Sequence, residues 1–382
     1  MGEEIKRSLA SIQRIVEINT IEGADAIEVA TVLGWKVVVK KGEFNIGDAV
    51  VYFEIDSFIP TKIASFLTKE GHEPKVFNGI QGERLRTIKL RGQISQGLIL
   101  PITDFNILIN MDVVSEGLDV TDELGIKLWE KPMSPAQAKQ HGQAKGAFPH
   151  FIRKTDQERV QNIINKLKQY EGKLFEITIK LDGSSLTTYN KDVYTGVCSR
   201  NIDLKDPDFK PNYGFFKTLL SKILPWYNLP VYKAEPSNYW KIVKEEKINL
   251  YLKDFCQEVG ADFALQGELI GVGIQKNNEG LLNHELRIFD IFNITEQRYL
   301  YPQERMDWIT SFNEKYNTNI KHVPVLNPAF PLVADLDLLL AMADGESLNT
   351  SQKREGIVFK ACDGEQISFK VISNQYLLKE KD

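Results

Sequence analysis

The chain has 382 residues, 42% of them hydrophobic and 26% charged, and so carries enough apolar side chain for two or three independently folding domains. Its 47 Lys and Arg against 52 Asp and Glu give a formal net charge of -5, which excludes a wholly basic nucleic-acid-coating protein but leaves room for a local basic face. The three cysteines, Cys198, Cys256 and Cys362, lie far apart with no C-x-x-C pair, so neither a zinc knuckle nor a disulfide framework is expected. Free thiols suit a reducing compartment. Met1 to Arg7 lacks the apolar stretch of a signal peptide, and Lys6 stands where a myristoylation motif needs Ser or Thr. No apolar run approaches the ~18 residues of a membrane helix. An intracellular, cytoplasmic chain with no membrane partner is expected.

The first hundred residues read as short strands. Ala26 to Val32 alternates and is stopped by Leu33-Gly34; Trp35 to Lys41 follows, closed by Gly42; Gly47-Asp48 then turns into Ala49 to Ile55. Such Gly-punctuated β-branched runs indicate a small β-barrel or sandwich. Arg84 to Gly92 reads as a further strand, carrying the basic pairs Arg84/Arg86 and Lys89/Arg91, and Leu98 to Leu100 ends the series at Pro101. The polar, Gly- and Pro-containing stretch from 102 to 148, around Lys131 to Pro135, reads as a connector.

A second domain begins near residue 149. Thr155 and Glu158 have capping-box spacing ahead of Val160, Ile163, Ile164 and Leu167, which recur at helical intervals. Strands are expected at 174–180, 184–189, 263–270, 286–292, 356–361 and 366–371, and helices at 238–259, 302–315 and 333–343. Strands mixed with helices, without βαβ alternation, indicate an α+β domain. Aromatic residues alternate with Lys217, Lys222 and Lys233 between Tyr213 and Trp240, which reads as a packed insertion.

Lys180-Leu181-Asp182-Gly183 stands out. A lysine ends an apolar strand and Asp-Gly forces a turn, so the amine is fixed on a rigid element at the lip of a cleft. At the ordinary lysine pKa of ~10.4, only about one amine in 2,500 is neutral at pH 7, so a nucleophilic role requires an activating environment. Alone, the tetrapeptide also fits a surface hairpin.

Further motifs follow it in order: Ser199-Arg200-Asn201, Leu265 to Gly271 around Glu268, Arg287 to Phe292 around Phe289, Arg354 to Lys360 around Glu355, and Phe369-Lys370-Val371-Ile372. Over about 200 residues this series resembles the covalent nucleotidyltransferases, the DNA ligases, RNA ligases and mRNA capping enzymes. The resemblance implies that Lys180 attacks the α-phosphorus of ATP, that AMP then passes to a nucleic-acid 5′-phosphate, and that a 3′-hydroxyl displaces it. It implies a Mg2+ or Mn2+ shell of Asp182, Glu268 and Glu355, with Glu268 also able to hold the ribose. Lys370 would contact the α-phosphate, Arg200 phosphate or ribose, and Arg159 pyrophosphate. Phe289, or in its place Phe292, would stack on adenine, and Lys360 would face phosphate or solvent. One departure is Ile372, where the wider superfamily often has a second lysine.

A β-rich first domain, with Gly34 to Lys40, Phe53 to Ser57 and the upstream Phe151 to Asp156, is similar to the RNA ligase clade with an N-terminal OB domain. The implied architecture is an OB-type barrel over 1–105, a connector over 106–148 and an adenylation domain of antiparallel sheets and helices over 149–382. The implied partner is RNA, a nicked duplex with RNA on the 3′-OH side, bound by a monomer; Lys75, Arg84, Arg86, Lys89 and Arg91 would track its phosphates. A ligase preferring DNA nicks, or a non-catalytic OB-fold RNA-binding protein, are the alternatives; the latter has no chemical reason to retain Lys180 with its carboxylates.

Overall fold

The computed structural model describes residues 7–105, 115–130, 143–208 and 236–379. The N-terminal β-branched runs pair into a five-stranded antiparallel sheet, in the order Leu98–Pro101, Ala49–Phe53, Ala10–Thr20, Ile27–Val32 and Trp35–Lys40. Its central strand, Ala10–Thr20, has no clean signature in the sequence, because a bulge between Ile15 and Glu17 shifts the period-two alternation. A second sheet joins Lys127–Leu128, Ser57–Pro60, Ile80–Arg84 and Lys75–Phe77.

The expected strand from Arg84 to Gly92 is divided. Arg84 ends one strand, while Ile88–Leu90 pairs with Gln93–Ser95 around a turn in which Arg91 and Gly92 have φ of 47° and 86°. The expected connector is shared out as well. Val120, Leu124 and Ile126 are buried with Ile12, Val51 and Phe53 of the first domain, whereas Ala144–Ala147 pairs with Ile202–Leu204 of the second. The Lys131–Pro135 run and the insertion lysines Lys217, Lys222 and Lys233 lie outside the described residues.

The second domain consists of two facing sheets. One is five-stranded, ordered Glu158–Arg159, Ser368–Ile372, Gly356–Ala361, Leu174–Lys180 and Val325–Pro331. The other, eight-stranded, has Ser184–Lys191, Phe263–Ile270 and Glu285–Asn293 as consecutive neighbours. Strand alternation sends Phe175 and Ile177 toward the helices Val160–Leu167 and Leu336–Ala343, and Glu176, Thr178 and Lys180 to the opposite face. The outer face of the larger sheet is covered by Asn238–Glu245, Ile248–Val259 and Pro302–Tyr316, through Trp240, Leu252, Phe255, Trp308 and Phe312.

Two local expectations need correcting. The helix expected over 238–259 is two helices, because Lys247 adopts a left-handed φ of 55° between them. Thr155 and Glu158 form no capping box: Glu158–Arg159 is drawn into the sheet beside Phe369 and Lys370, and the Glu158 carboxylate accepts from Asn162 instead.

The domains dock through close contacts. Gly34 N–H donates to Gln161 C=O, and a Cβ at Gly34 would lie 2.9 Å from Gln161 Cα, so only glycine fits. Trp35 Nε1 donates to Asn162 Oδ1 at 2.6 Å, and Gln96 Nε2 to Asn374 Oδ1 at 3.1 Å. Ile372 and Leu377 are buried with Trp35 and Tyr52 of the first domain.

Candidate active site

Lys180 ends its strand opposite Gly356, and the Asp182-Gly183 turn carries the chain across to the larger sheet at Ser184. A Cβ on Gly183 would meet the Leu269 carbonyl oxygen at 2.4 Å, which explains the glycine: the turn runs against the strand that carries Glu268. Lys180 Nζ donates to Glu355 Oε2 at 2.7 Å, with 28% of the lysine side chain accessible. Burial works to lower its pKa, but Glu355, Glu268 and Asp182 outweigh that and hold the amine above the ordinary lysine range.

Glu268 sits opposite Ser185 on the facing sheet, and its pKa is pushed up to about 8, first by burial and then by Glu355 and Asp182. Asp182 accepts from the Tyr376 hydroxyl at 2.9 Å. Lys370 is lowered to about 7 by burial and then by Arg159, Lys180 and Arg7. Arg200 is largely exposed; it pairs with Asp156 at 2.7 Å and also acts electrostatically on Glu268. The structure thus brings Lys180, Asp182, Glu268, Glu355, Lys370 and Arg200 within electrostatic reach of one another.

Of the two candidate aromatics, Phe292 is fully buried against Tyr299, while Phe289 is half-buried beside Ile179 and Leu181, next to the lysine. Lys360 is directed away from solvent: Nζ donates to Phe289 C=O at 2.5 Å and pairs with Asp290 at 2.8 Å. Arg159 faces the domain interface, pairing with Asp56 at 3.1 Å and Glu54 at 3.7 Å, although its backbone lies beside Lys370. Arg84 points inward as well, to Asp56 at 2.6 Å and over the Trp129 ring at 4.3 Å. Lys75, Arg86, Lys89 and Arg91 lie on the exposed surface of the first domain. Ile372 is only 4% exposed, buried in the interdomain core where a lysine would be stranded.

Several residues support the site in ways that only the structure reveals. Arg354 donates to the Met342, Ala343 and Asp344 carbonyls at 2.7–3.0 Å, capping a helix end and fixing the segment that presents Glu355. Glu176, Arg305 and Asp290 are buried together behind Phe289, and Arg305 also donates to the half-buried His322. Each comes from a different element, so only tertiary structure brings them together.

Among the described residues no group of three or more His, Cys, Asp or Glu is placed to hold a metal ion directly. The donor set instead fits a hydrated hard cation. Three carboxylates converge electrostatically on Lys180, and one of them is so poorly compensated that it holds its proton up to about pH 8. Mg2+ typically keeps several waters and shares its shell with substrate phosphates, using one or two carboxylates rather than an all-protein site.

A family model described as RNA ligase matches residues 173–372, and an OB-fold domain model matches residues 9–102. Naegleria gruberi RNA ligase superimposes along nearly the whole chain. A variant of it with ATP and Mn gives a TM-score of 0.82 at 42% identity, covering 97% of this chain and 99% of that one. The chain belongs to the RNA ligase family. A second variant of the Naegleria RNA ligase, with AMP and Mn, gives 0.83 at 42% identity over 98% of this chain and 100% of that one. The same enzyme with PPi gives 0.82 at 42% identity over 99% and 100%. No curated protein matches this RNA ligase family member significantly. No helix among the described residues is long and apolar enough to cross a membrane.

Proposed function

We propose that this RNA ligase family member joins RNA 5′-phosphate and 3′-hydroxyl ends with ATP, through a covalent AMP on Lys180. The observation that carries the reading is the Lys180 amine at the end of its strand, 2.7 Å from Glu355, with Glu268 and Asp182 acting on the same charge. The Lys180 nitrogen forms a bond to the α-phosphorus as the bond to pyrophosphate breaks. Glu355 Oε2 is the acceptor nearest the proton that the amine must lose. A divalent ion held by Asp182, Glu268 and Glu355 would supply positive charge that lowers the lysine pKa and offsets charge on the phosphate. Lys370 faces the α-phosphate, whose negative charge draws its lowered pKa back up and keeps it a cation. Phe289 stacks on the adenine, and Arg200 holds the ribose or phosphate edge.

AMP then passes to the RNA 5′-phosphate, and the 3′-hydroxyl attacks that phosphorus with AMP as leaving group. The OB domain holds a nicked duplex through Lys75, Arg86, Lys89 and Arg91, and the enzyme acts as a monomer. Sealing of nicked duplexes with RNA or DNA on the 3′-OH side tests the substrate assignment. Preferential sealing with RNA on that side is expected; equal sealing of all-DNA nicks contradicts it.

A further inference from the structure

Phe289 occupies a β-bulge. In the ladder between Phe263–Ile270 and Glu285–Asn293, Gln266 pairs with Asp290 and Gly267 with Ile288, so Phe289 has no partner residue across the strand. The extra residue breaks the alternation and turns two consecutive side chains, Phe289 and Asp290, to the side where Lys360 lies. Lys360 Nζ meets both: it donates to the Phe289 carbonyl, pairs with Asp290 at 2.8 Å, and lies 5.6 Å from the centroid of the Phe289 ring.

This ammonium group does not stand alone. Glu176, directly opposite Lys360 in the ladder, accepts from Arg305, and Arg305 NH1 lies 3.7 Å from Asp290. Arg305 Nε donates to His322 Nε2 at 2.9 Å, which makes that nitrogen an acceptor and directs the Nδ1 proton to the Val323 carbonyl. His322 is therefore neutral, and burial followed by Arg305 and Lys360 pushes its pKa down to about 3. Two cations face two carboxylates, all four at 8% exposure or less. Such a balanced buried group fixes geometry, because removing one member leaves its partner's charge uncompensated.

The group ties the strand that carries Lys180, and the strand Gly356–Ala361 that Glu355 immediately precedes, to the bulge that carries Phe289. We infer that Lys360 is a positioning residue for ATP recognition: it anchors the Phe289 bulge and sets the ring's place relative to Lys180, without touching phosphate. This rests on Phe289 being the adenine-stacking ring, and the test separates the two.

Initial rates of enzyme adenylylation are measured against ATP concentration for wild type, Phe289→Ala, Lys360→Met and the two changes combined. Lys360→Met paired with Asp290→Asn, which keeps the site neutral, replaces the single change if that variant does not fold. Loss of stacking predicts a roughly tenfold rise in KM for ATP in Phe289→Ala. Lys360→Met is expected to raise KM by a similar factor with kcat nearly unchanged, and the combined variant to be no worse than either alone. A normal KM in Phe289→Ala overturns the stacking assignment. A raised KM there with a normal KM in Lys360→Met overturns the positioning role. A fall in kcat at unchanged KM in Lys360→Met overturns it also, and assigns Lys360 to the phosphate.

Discussion

Lys180 and Glu268 form a coupled pair in which the fold favours the protonated form of both groups. The amine is held above its ordinary pKa by three carboxylates, so it stays protonated at neutral pH until a cation compensates them. Adenylylation at fixed ATP and magnesium should therefore accelerate as pH rises above neutral; a rate independent of pH between 6 and 9 would show that deprotonation of the amine is not limiting. Glu268 makes a stability prediction. Its native pKa of about 8 lies above the unfolded carboxyl value, so between the two the native state holds one more proton than the unfolded chain. Stability contributed at this position is full at low pH and is lost as pH rises toward 8. Glu268→Gln should leave the metal-free melting temperature nearly unchanged at pH 5 and raise it at pH 8 to 9. Equal shifts at both pH values would show that the carboxylate is not buried uncompensated. Gly183 is a steric requirement: Gly183→Ala brings a methyl group to 2.4 Å from the Leu269 carbonyl oxygen and should cost about 1–3 kcal/mol in urea unfolding, with loss of adenylylation.

At the level of elements, the helix Asn374–Lys379 links the two domains and the site. Asn374 accepts from Gln96, Leu377 is buried in the first domain's core, and the Tyr376 hydroxyl holds Asp182. Truncation after Ser373 should slow adenylylation and lower the melting temperature together, while Tyr376→Phe should reduce the rate alone. A truncated chain adenylylated at the wild-type rate would show that Asp182 needs no such support. The sequence announces the strands Leu174–Lys180, Phe263–Ile270, Gly356–Ala361 and Ser368–Ile372, because each is a short, largely apolar run that holds or adjoins one of Lys180, Glu268, Glu355 and Lys370. It does not announce the bulge at Phe289, which changes the face of a side chain without changing composition. It hides the break at Lys247 for the same reason: the apolar spacing continues through it. Arg84 and Arg159 read as nucleic-acid and pyrophosphate contacts because their partners, Glu54 and Asp56, are remote in sequence from Arg159 and out of register with Arg84. Glu176, Arg305 and His322 have no local pattern at all.

Across the whole molecule, the domains are joined by an ionic cluster in which Arg7, Arg84 and Arg159 surround Glu54 and Asp56. The surplus positive charge lies next to Lys370 and contributes to its lowered pKa. Burial works to raise the Asp56 pKa, but Arg159, Arg7 and Arg84 prevail and hold it below the usual carboxylate range. That contribution is full above the unfolded carboxyl pKa and disappears as pH falls through the lower native value. Asp56→Asn should therefore destabilise the chain at pH 7, with the difference shrinking in acid. A variant as stable as wild type at neutral pH would remove the cluster from any role in docking.

The central claim concerns a single covalent bond, and intact mass spectrometry after incubation with ATP and magnesium or manganese reads it directly. Wild type should gain the mass of one adenylyl group, release it on addition of pyrophosphate, and gain nothing when Lys180 is replaced by alanine. An unchanged wild-type mass, or an adenylylated Lys180→Ala protein, would contradict the account.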